Sequence, residues 1–349
     1  MRLLALSSFA LVLAACTAAI ATHPDAGGSS APSTPALPLV NVNDMMGMYP
    51  QQTVFAVTTD HVSAVTLLNH FVRYQIPTRG SAEATVDAGG RWLYVLDGDE
   101  QGARRLRAFD VPTGAERLSM SGMNNVSRAG HALGALSDGR VLVLKSSGSH
   151  AWVDGYKPDR LESTGVLMQG PACGDRLLVG GLRVAMLCSS SGQLAVGTLD
   201  AATAMLDGIL RDIVGAAMSG DGTLYLATAD EHLAKVAPGS TTPVLIAWPS
   251  AWSGRVVADG LAVVQGGSLL AVAETAADGA WLRTMAVSDL SARTSLYLAG
   301  VPNGGVVAMW PFAYYAVGTT IRHVDLTSGV LETMAEVGPS ATAAAVVND

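Results

Sequence analysis

The chain has 349 residues, a formal net charge of −8, 49% hydrophobic residues and only 14% charged ones. An acidic balance leaves no electrostatic footprint for nucleic acid and no charge-driven attraction to an anionic membrane surface. The 38 glycines and so small a charged fraction suit many buried strands joined by tight turns.

Residues 1–16 read Met-Arg-Leu-Leu-Ala-Leu-Ser-Ser-Phe-Ala-Leu-Val-Leu-Ala-Ala-Cys. One basic residue, Arg2, precedes an apolar run too short to span a bilayer, which is the pattern of a signal peptide. Its end, Leu13-Ala14-Ala15-Cys16, resembles the lipobox of bacterial lipoproteins in every position. The resemblance implies diacylglyceryl transfer to the Cys16 thiol, cleavage before it and acylation of the new amino terminus. It places the mature protein in the bacterial cell envelope, extracytoplasmic and anchored to a membrane. The expected organisation is a signal peptide over 1–15, a lipidated Cys16 with a flexible tether to residue 38, and one domain over 39–349. The tether is rich in Pro, Gly and Ser and has little that can pack. No later apolar stretch is long enough to be a transmembrane helix.

Beyond the tether a strand–turn–strand unit recurs at spacings of about 41 to 49 residues. Its copies include Asp87-Ala-Gly-Gly-Arg-Trp-Leu-Tyr-Val-Leu-Asp97, Ser137-Asp-Gly-Arg-Val-Leu-Val-Leu-Lys145 and Ser219-Gly-Asp-Gly-Thr-Leu-Tyr-Leu-Ala227. Gly266-Gly-Ser-Leu-Leu-Ala-Val-Ala273 is another. A Gly-bearing turn followed by an apolar strand, repeated in this way, is the signature of a β-propeller blade. Six four-stranded units begin at Ala82–Val86, His131–Leu136, Arg176–Val179, Val214–Met218, Val256–Val264 and Gly305–Met309. The unit starting at His131 is expected to end on an outer strand at Arg160–Ser163. Thr53–Thr58, Val62–Leu67 and Phe71–Ile76 remain as three strands without an innermost partner, and Thr342–Val347 as an innermost strand with nothing after it. Joined, they make a seventh blade that closes the ring, so the expected fold is an all-β, seven-bladed propeller, with six or eight blades as the alternatives.

The outer turns Ala108-Phe-Asp-Val-Pro-Thr-Gly114 and His323-Val-Asp-Leu-Thr-Ser-Gly329 resemble the Asp-x-x-(Ser/Thr)-Gly turn of quinoprotein-like and WD40-like bacterial propellers. Quinoprotein blades continue to a Trp a few residues later; here Ala115-Glu-Arg-Leu-Ser-Met120 and Val330-Leu-Glu-Thr-Met-Ala335 have none. That departure argues against a pyrroloquinoline quinone enzyme, and no cofactor is expected. The pattern is also similar to the propeller lipoprotein of bacterial outer-membrane assembly, which has eight blades.

Cys173 and Cys188 are the even remainder once Cys16 takes lipid, and in an exported protein they read as a disulfide, with reduced buried thiols as the alternative. They lie equidistant from Gly180-Gly181, where a hairpin would bring them opposite each other. No nucleophile elbow, phosphate loop or His-Glu-x-x-His motif occurs. The seven histidines are scattered without metal-ligand spacing, and no metal site is expected. His61 and His232 read as solvated turn residues, and Asp97-Gly-Asp-Glu100 as a solvated hairpin tip that would suit a hard cation.

One registered feature stands out. Arg79, Arg128 and Arg211 each lie 11 residues before a turn Gly, and Arg255 lies 12 before one. All four fall where the chain enters an innermost strand, so they are expected at one mouth of the channel. There they either brace the blades or focus positive potential on an acidic ligand. His131, Trp248 and Trp252, with the loop Met120-Ser-Gly-Met-Asn-Asn125, are expected at the same mouth, as an apolar contact patch or a plug. The leading reading is therefore a lipid-anchored, non-catalytic scaffold. It would hold a protein or envelope-polymer partner, for which an acidic one is suited, through this mouth. The alternative is a propeller enzyme, lactonase-like or quinoprotein-like, for which Glu83 and His131 are the best candidates.

Overall fold

The computed structural model describes residues 52–98, 103–127, 131–198, 204–206, 210–229, 232–240, 242–250, 252, 254–264 and 268–348. The chain divides into two units, Met1–Met45 and Met46–Asp349, and the first lies wholly outside the described residues. The second is a ring of seven four-stranded antiparallel sheets, and among the described residues it holds no helix.

Blade 1 contains β1 (Gln52–Val57), β2 (His61–Thr66) and β3 (Phe71–Pro77). Blade 2 runs β4 (Glu83–Val86), β5 (Trp92–Gly98), β6 (Arg104–Asp110) and β7 (Glu116–Met123). Blade 3 has β8 (Leu133–Ala135), β9 (Val141–Ser146), β10 (Ala151–Tyr156) and β11 (Ser163–Gly170). Blade 4 follows with β12 (Arg176–Gly180), β13 (Arg183–Cys188), β14 (Gln193–Thr198) and β15 (Ala204–Leu206). Blade 5 has β16 (Ile213–Met218), β17 (Leu224–Thr228), β18 (Leu233–Val236) and β19 (Val244–Ile246). Blade 6 is formed by β20 (Arg255–Val263), β21 (Leu269–Ala276), β22 (Gly279–Ala286) and β23 (Ala292–Leu298). Blade 7 has β24 (Val306–Met309), β25 (Phe312–Val317), β26 (Thr320–Asp325) and β27 (Leu331–Glu336). The last strand, β28 (Thr342–Asn348), pairs with β1 from Gln52↔Asn348 to Val57↔Thr342 and supplies the innermost strand of blade 1.

Burial follows position in the blade. The second strands are covered on both faces by neighbouring blades, so β1 and β17 are buried at every residue and carry mostly apolar side chains without alternation. The outer strands splay apart and alternate, as in β3 and β7. The core is accordingly annular: each cluster joins the facing surfaces of adjacent blades, for instance Phe55, Ala64, Leu93, Val95 and Phe109 between blades 1 and 2.

The expected turn chemistry is present. Asp325 accepts from the backbone N–H of Thr327 and Ser328 at 2.7 and 3.2 Å, and Gly329 takes φ +74°. Two expectations are corrected. The outer strand of blade 3 is β11, not Arg160–Ser163, because Lys157–Leu161 form a tight turn that delays it. The hairpin of blade 4 turns at Gly181-Leu182, with Gly180 paired to Arg183, so Cys173 is not a ladder partner of Cys188. Cys173 lies instead in the turn before β12, and a disulfide joins the two with Cα atoms 5.3 Å apart. Gly180 serves a different purpose: a Cβ there would meet the carbonyl oxygen of Ser219 at 2.1 Å, so only glycine allows blades 4 and 5 to approach.

Candidate functional site

The channel mouth where the innermost strands begin gathers charged side chains from several blades. Glu83 opens β4. Its Oε2 accepts the backbone N–H of Ala132 at 2.5 Å and of Leu133 at 3.1 Å, just before and within β8 of the next blade. Arg104 of β6 donates to its Oε1 at 3.3 Å and also to the Ser81 carbonyl. The side chain is only 12% exposed. Burial pushes its pKa above the ordinary value, although the Ala132 N–H and the Arg104 charge pull the other way.

The centre of the mouth is built by a break in β20. Its ladder with β21 jumps from Val256↔Glu274 to Leu261↔Val272, so Val257–Gly260 bulge out of register. Asp259 sits in this bulge at φ +58°, a left-handed conformation that Asp tolerates better than most residues. Its Oδ1 lies 3.0 Å from Nε2 of His131 and 2.5 Å from Nη1 of Arg176. These partners belong to the entries of blades 3 and 4, so the contact crosses the channel from blade 6. Arg176 is fixed in turn, donating through Nε to Ser189 Oγ at 3.0 Å and through Nη2 to the Val214 carbonyl at 3.3 Å. Asp175 holds Ser189 from behind, at 2.8 Å to its hydroxyl. Burial alone would raise the Asp259 pKa, but the His131 hydrogen bond and charge, and then Arg176, hold it below the ordinary value. Two carboxyl groups at one mouth are thus shifted in opposite directions.

Toward the other ends of the same strands lies a cavity of about 920 Å³ lined by residues from all seven innermost strands. Small and apolar side chains such as Ala135, Val179, Val307 and Ala345 dominate it. Its acidic members are engaged in their own turns: Asp87 accepts the N–H of Arg91 and Trp92, and Asp221 that of Thr223.

Of the residues singled out from sequence, Arg79 and Arg211 are exposed on the connections into β4 and β16, and Arg255 is exposed as the first residue of β20. Arg128 and Cys16 lie outside the described residues. His131 is at the mouth and engaged by Asp259. Trp248 and Trp252 do not form an open patch: they pack edge to face at 5.5 Å, and Trp252 is buried with Tyr225, Val256 and Leu270 between blades 5 and 6. Their large apolar area is better satisfied in that seam than in water. The Met120–Met123 stretch is likewise strand rather than mouth loop, with Met123 in the core. Asp97 is no cation ligand, being fully buried and paired with Arg105 and Arg107, while Asp99 and Glu100 lie outside the described residues. His61 is not a solvated turn residue; its ring bridges Asp60 at 2.6 Å and the Val337 carbonyl at 2.7 Å.

Sequence reasoning missed Asp259 and Arg176. A signal existed for the first: Asp259-Gly260 interrupts the apolar run from Val256 to Val264, and a Gly inside a strand pattern marks a bulge. Nothing local distinguished Arg176 from any other strand-end arginine.

No protein-family model and no curated protein matches the chain. Solved structures do. Apo AztD from Citrobacter koseri aligns with a TM-score of 0.53 at 13% identity, over 86% of this chain and 98% of that one. The periplasmic gluconolactonase of Pseudomonas aeruginosa aligns at 0.58 and 16%, over 84% and 99%. A functionally unknown protein from Desulfotomaculum acetoxidans aligns at 0.63 and 10%, over 86% and 98%. At such identities the likeness is one of fold, and the chain is a seven-bladed β-propeller.

Proposed function

We propose that the protein is a lipid-anchored, extracytoplasmic propeller that binds an anionic protein or envelope polymer at the mouth where the innermost strands begin. One observation carries this reading. Two carboxylates at that mouth are already engaged, Asp259 by His131 and Arg176 and Glu83 by Arg104 and two backbone N–H groups. The exposed Arg211, on the connection into β16, and Arg255, the first residue of β20, then offer positive charge at the same mouth to a carboxylate- or phosphate-bearing ligand. A labelled polyglutamate peptide, titrated at low and moderate salt, serves as the probe. R211Q/R255Q is expected to weaken binding at least tenfold with an unchanged melting temperature. Equal binding by the variant would refute the mouth as the site. The lipid rests on the Leu13-Ala14-Ala15-Cys16 sequence, and C16S is expected to move the protein from the membrane to the soluble fraction.

A second reading, a lactonase-like enzyme, draws on the opposed carboxyl shifts of Glu83 and Asp259 beside His131, a separation suited to acid–base work. The fold shared with a gluconolactonase agrees with it. It requires that glucono-δ-lactone be opened by the wild type and not by H131A or D259N.

A further inference from the structure

Where blade 7 meets blade 1, three metal-competent side chains converge that lie far apart in sequence. His323 of β26 and Glu332 of β27 are direct partners across the ladder, so both project from one face of the blade 7 sheet. His70 reaches them from the turn between β2 and β3, where it adopts φ +52° and its N–H donates to the Thr66 carbonyl at 3.1 Å. His70 Nε2 is 3.4 Å from Glu332 Oε2, and His323 Nε2 is 3.9 Å from the same oxygen. One donor atom from each residue lies within 4.8 Å of the other two.

The burial of the three differs in a telling way. His323 is 4% exposed, and its Nδ1 has no hydrogen-bond partner. Its ring is fixed edge-on to Phe312 at 5.1 Å and against Tyr314 at 6.2 Å. An imidazole buried in such an aromatic seat incurs a desolvation cost that a phenyl ring would avoid. A surface ion pair between His70 and Glu332 explains neither that cost nor why the His323 ring is aimed at the pair. Tetrahedral ligation with bonds of about 2.0–2.1 Å needs donors about 3.3 Å apart. The His70–Glu332 edge already has that length, and rotation of those two half-exposed side chains onto the fixed His323 shortens the others.

We propose that His70, His323 and Glu332 bind a borderline divalent transition metal, zinc being the type, with the fourth position left to solvent. Two imidazoles and a carboxylate suit such an ion better than calcium or magnesium, which take oxygen ligands. Because the ligands come from blades 1 and 7, the ion ties the closure of the ring. The site is separate from the channel mouth and does not depend on how the mouth is used.

The test uses the full chain in detergent, purified without a polyhistidine handle and stripped with chelator. Zinc alone is titrated by calorimetry, and cobalt absorption reports the ligand geometry. The expected result is one zinc per chain, a raised melting temperature on saturation and a tetrahedral cobalt spectrum. H70A and E332Q change half-exposed side chains and are expected to keep the metal-free melting temperature. They should bind zinc at least tenfold more weakly and lose the metal-dependent rise. Absence of stoichiometric zinc, or binding unchanged in both variants, as adventitious binding elsewhere would give, overturns the proposal.

Discussion

Asp259 is the residue on which the mouth turns, because its carboxylate joins blade 6 to the entries of blades 3 and 4. Its pKa is lower in the fold than in the unfolded chain. A carboxyl of this kind contributes stability that is present above the ordinary carboxylate range and lost as pH falls through the folded value. D259N should therefore cost about 1–2 kcal/mol at neutral pH, a partly screened ion-pair value. The gap to wild type should close as urea unfolding is repeated toward about pH 3. A gap independent of pH would mean that the bulge geometry, not the charge, is what matters. Glu83 has the opposite sign: its raised pKa makes its charge a cost at neutral pH, so E83Q is expected to be nearly neutral there. The sequence showed Glu83 and His131 because each stands at the predictable start of an innermost strand. It hid the pairing, since a bulge that carries a side chain across a channel depends on three blades at once.

Between neighbouring strands the fold uses charge for bracing rather than for ligands. Asp97, at the end of β5 and fully buried, receives Nε and Nη2 of Arg105 and Nη2 of Arg107, and Arg107 also donates to the Pro77 carbonyl of blade 1 at 2.7 Å. Glu274 and Arg283 repeat the arrangement between β21 and β22 at 3.1 Å, with the guanidinium over Trp281 at 4.7 Å. Lys145 and Asp154 do so with reversed sign between β9 and β10 at 2.7 Å. Removing the fully buried Asp97 or Glu274 leaves Arg107 or Arg283 charged and buried, a loss of roughly 3–5 kcal/mol. D97N should show it as a lower urea midpoint with unchanged slope, whereas a shift within error would mean that water reaches Arg107. The Cys173–Cys188 link closes a 15-residue separation and adds about 3 kcal/mol in the chain-entropy account. The pairing of these cysteines was legible from their even number and the export that the leader sequence predicts, but the hairpin register was not. Gly180-Gly181 looked like a turn, yet Gly180 is a glycine because the Ser219 carbonyl presses against it.

At the scale of the whole ring, the blade count was legible because blade after blade repeats the same turn and the same doubly buried second strand. The leftover strands at either side of the repeat could then be satisfied only by each other. Details such as β11 were not, because outer strands are exposed and carry little apolar signal to fix where they begin. The closure itself makes a strong demand. β1 is buried at all six residues and is paired along its length with β28. A chain ending at residue 341 would expose that ladder as an unpaired edge beside the apolar seam of Val54, Tyr314 and Ile321. Such a chain is expected to lose cooperative unfolding and to associate edge to edge in gel filtration. Gln52 and Asn348 are ladder partners, so residues 342–348 placed ahead of β1 through a short linker should restore a monomer with a single sharp transition. If the truncated chain instead stays monomeric and melts cooperatively, the ring is held by its blade-to-blade seams and not by the shared sheet.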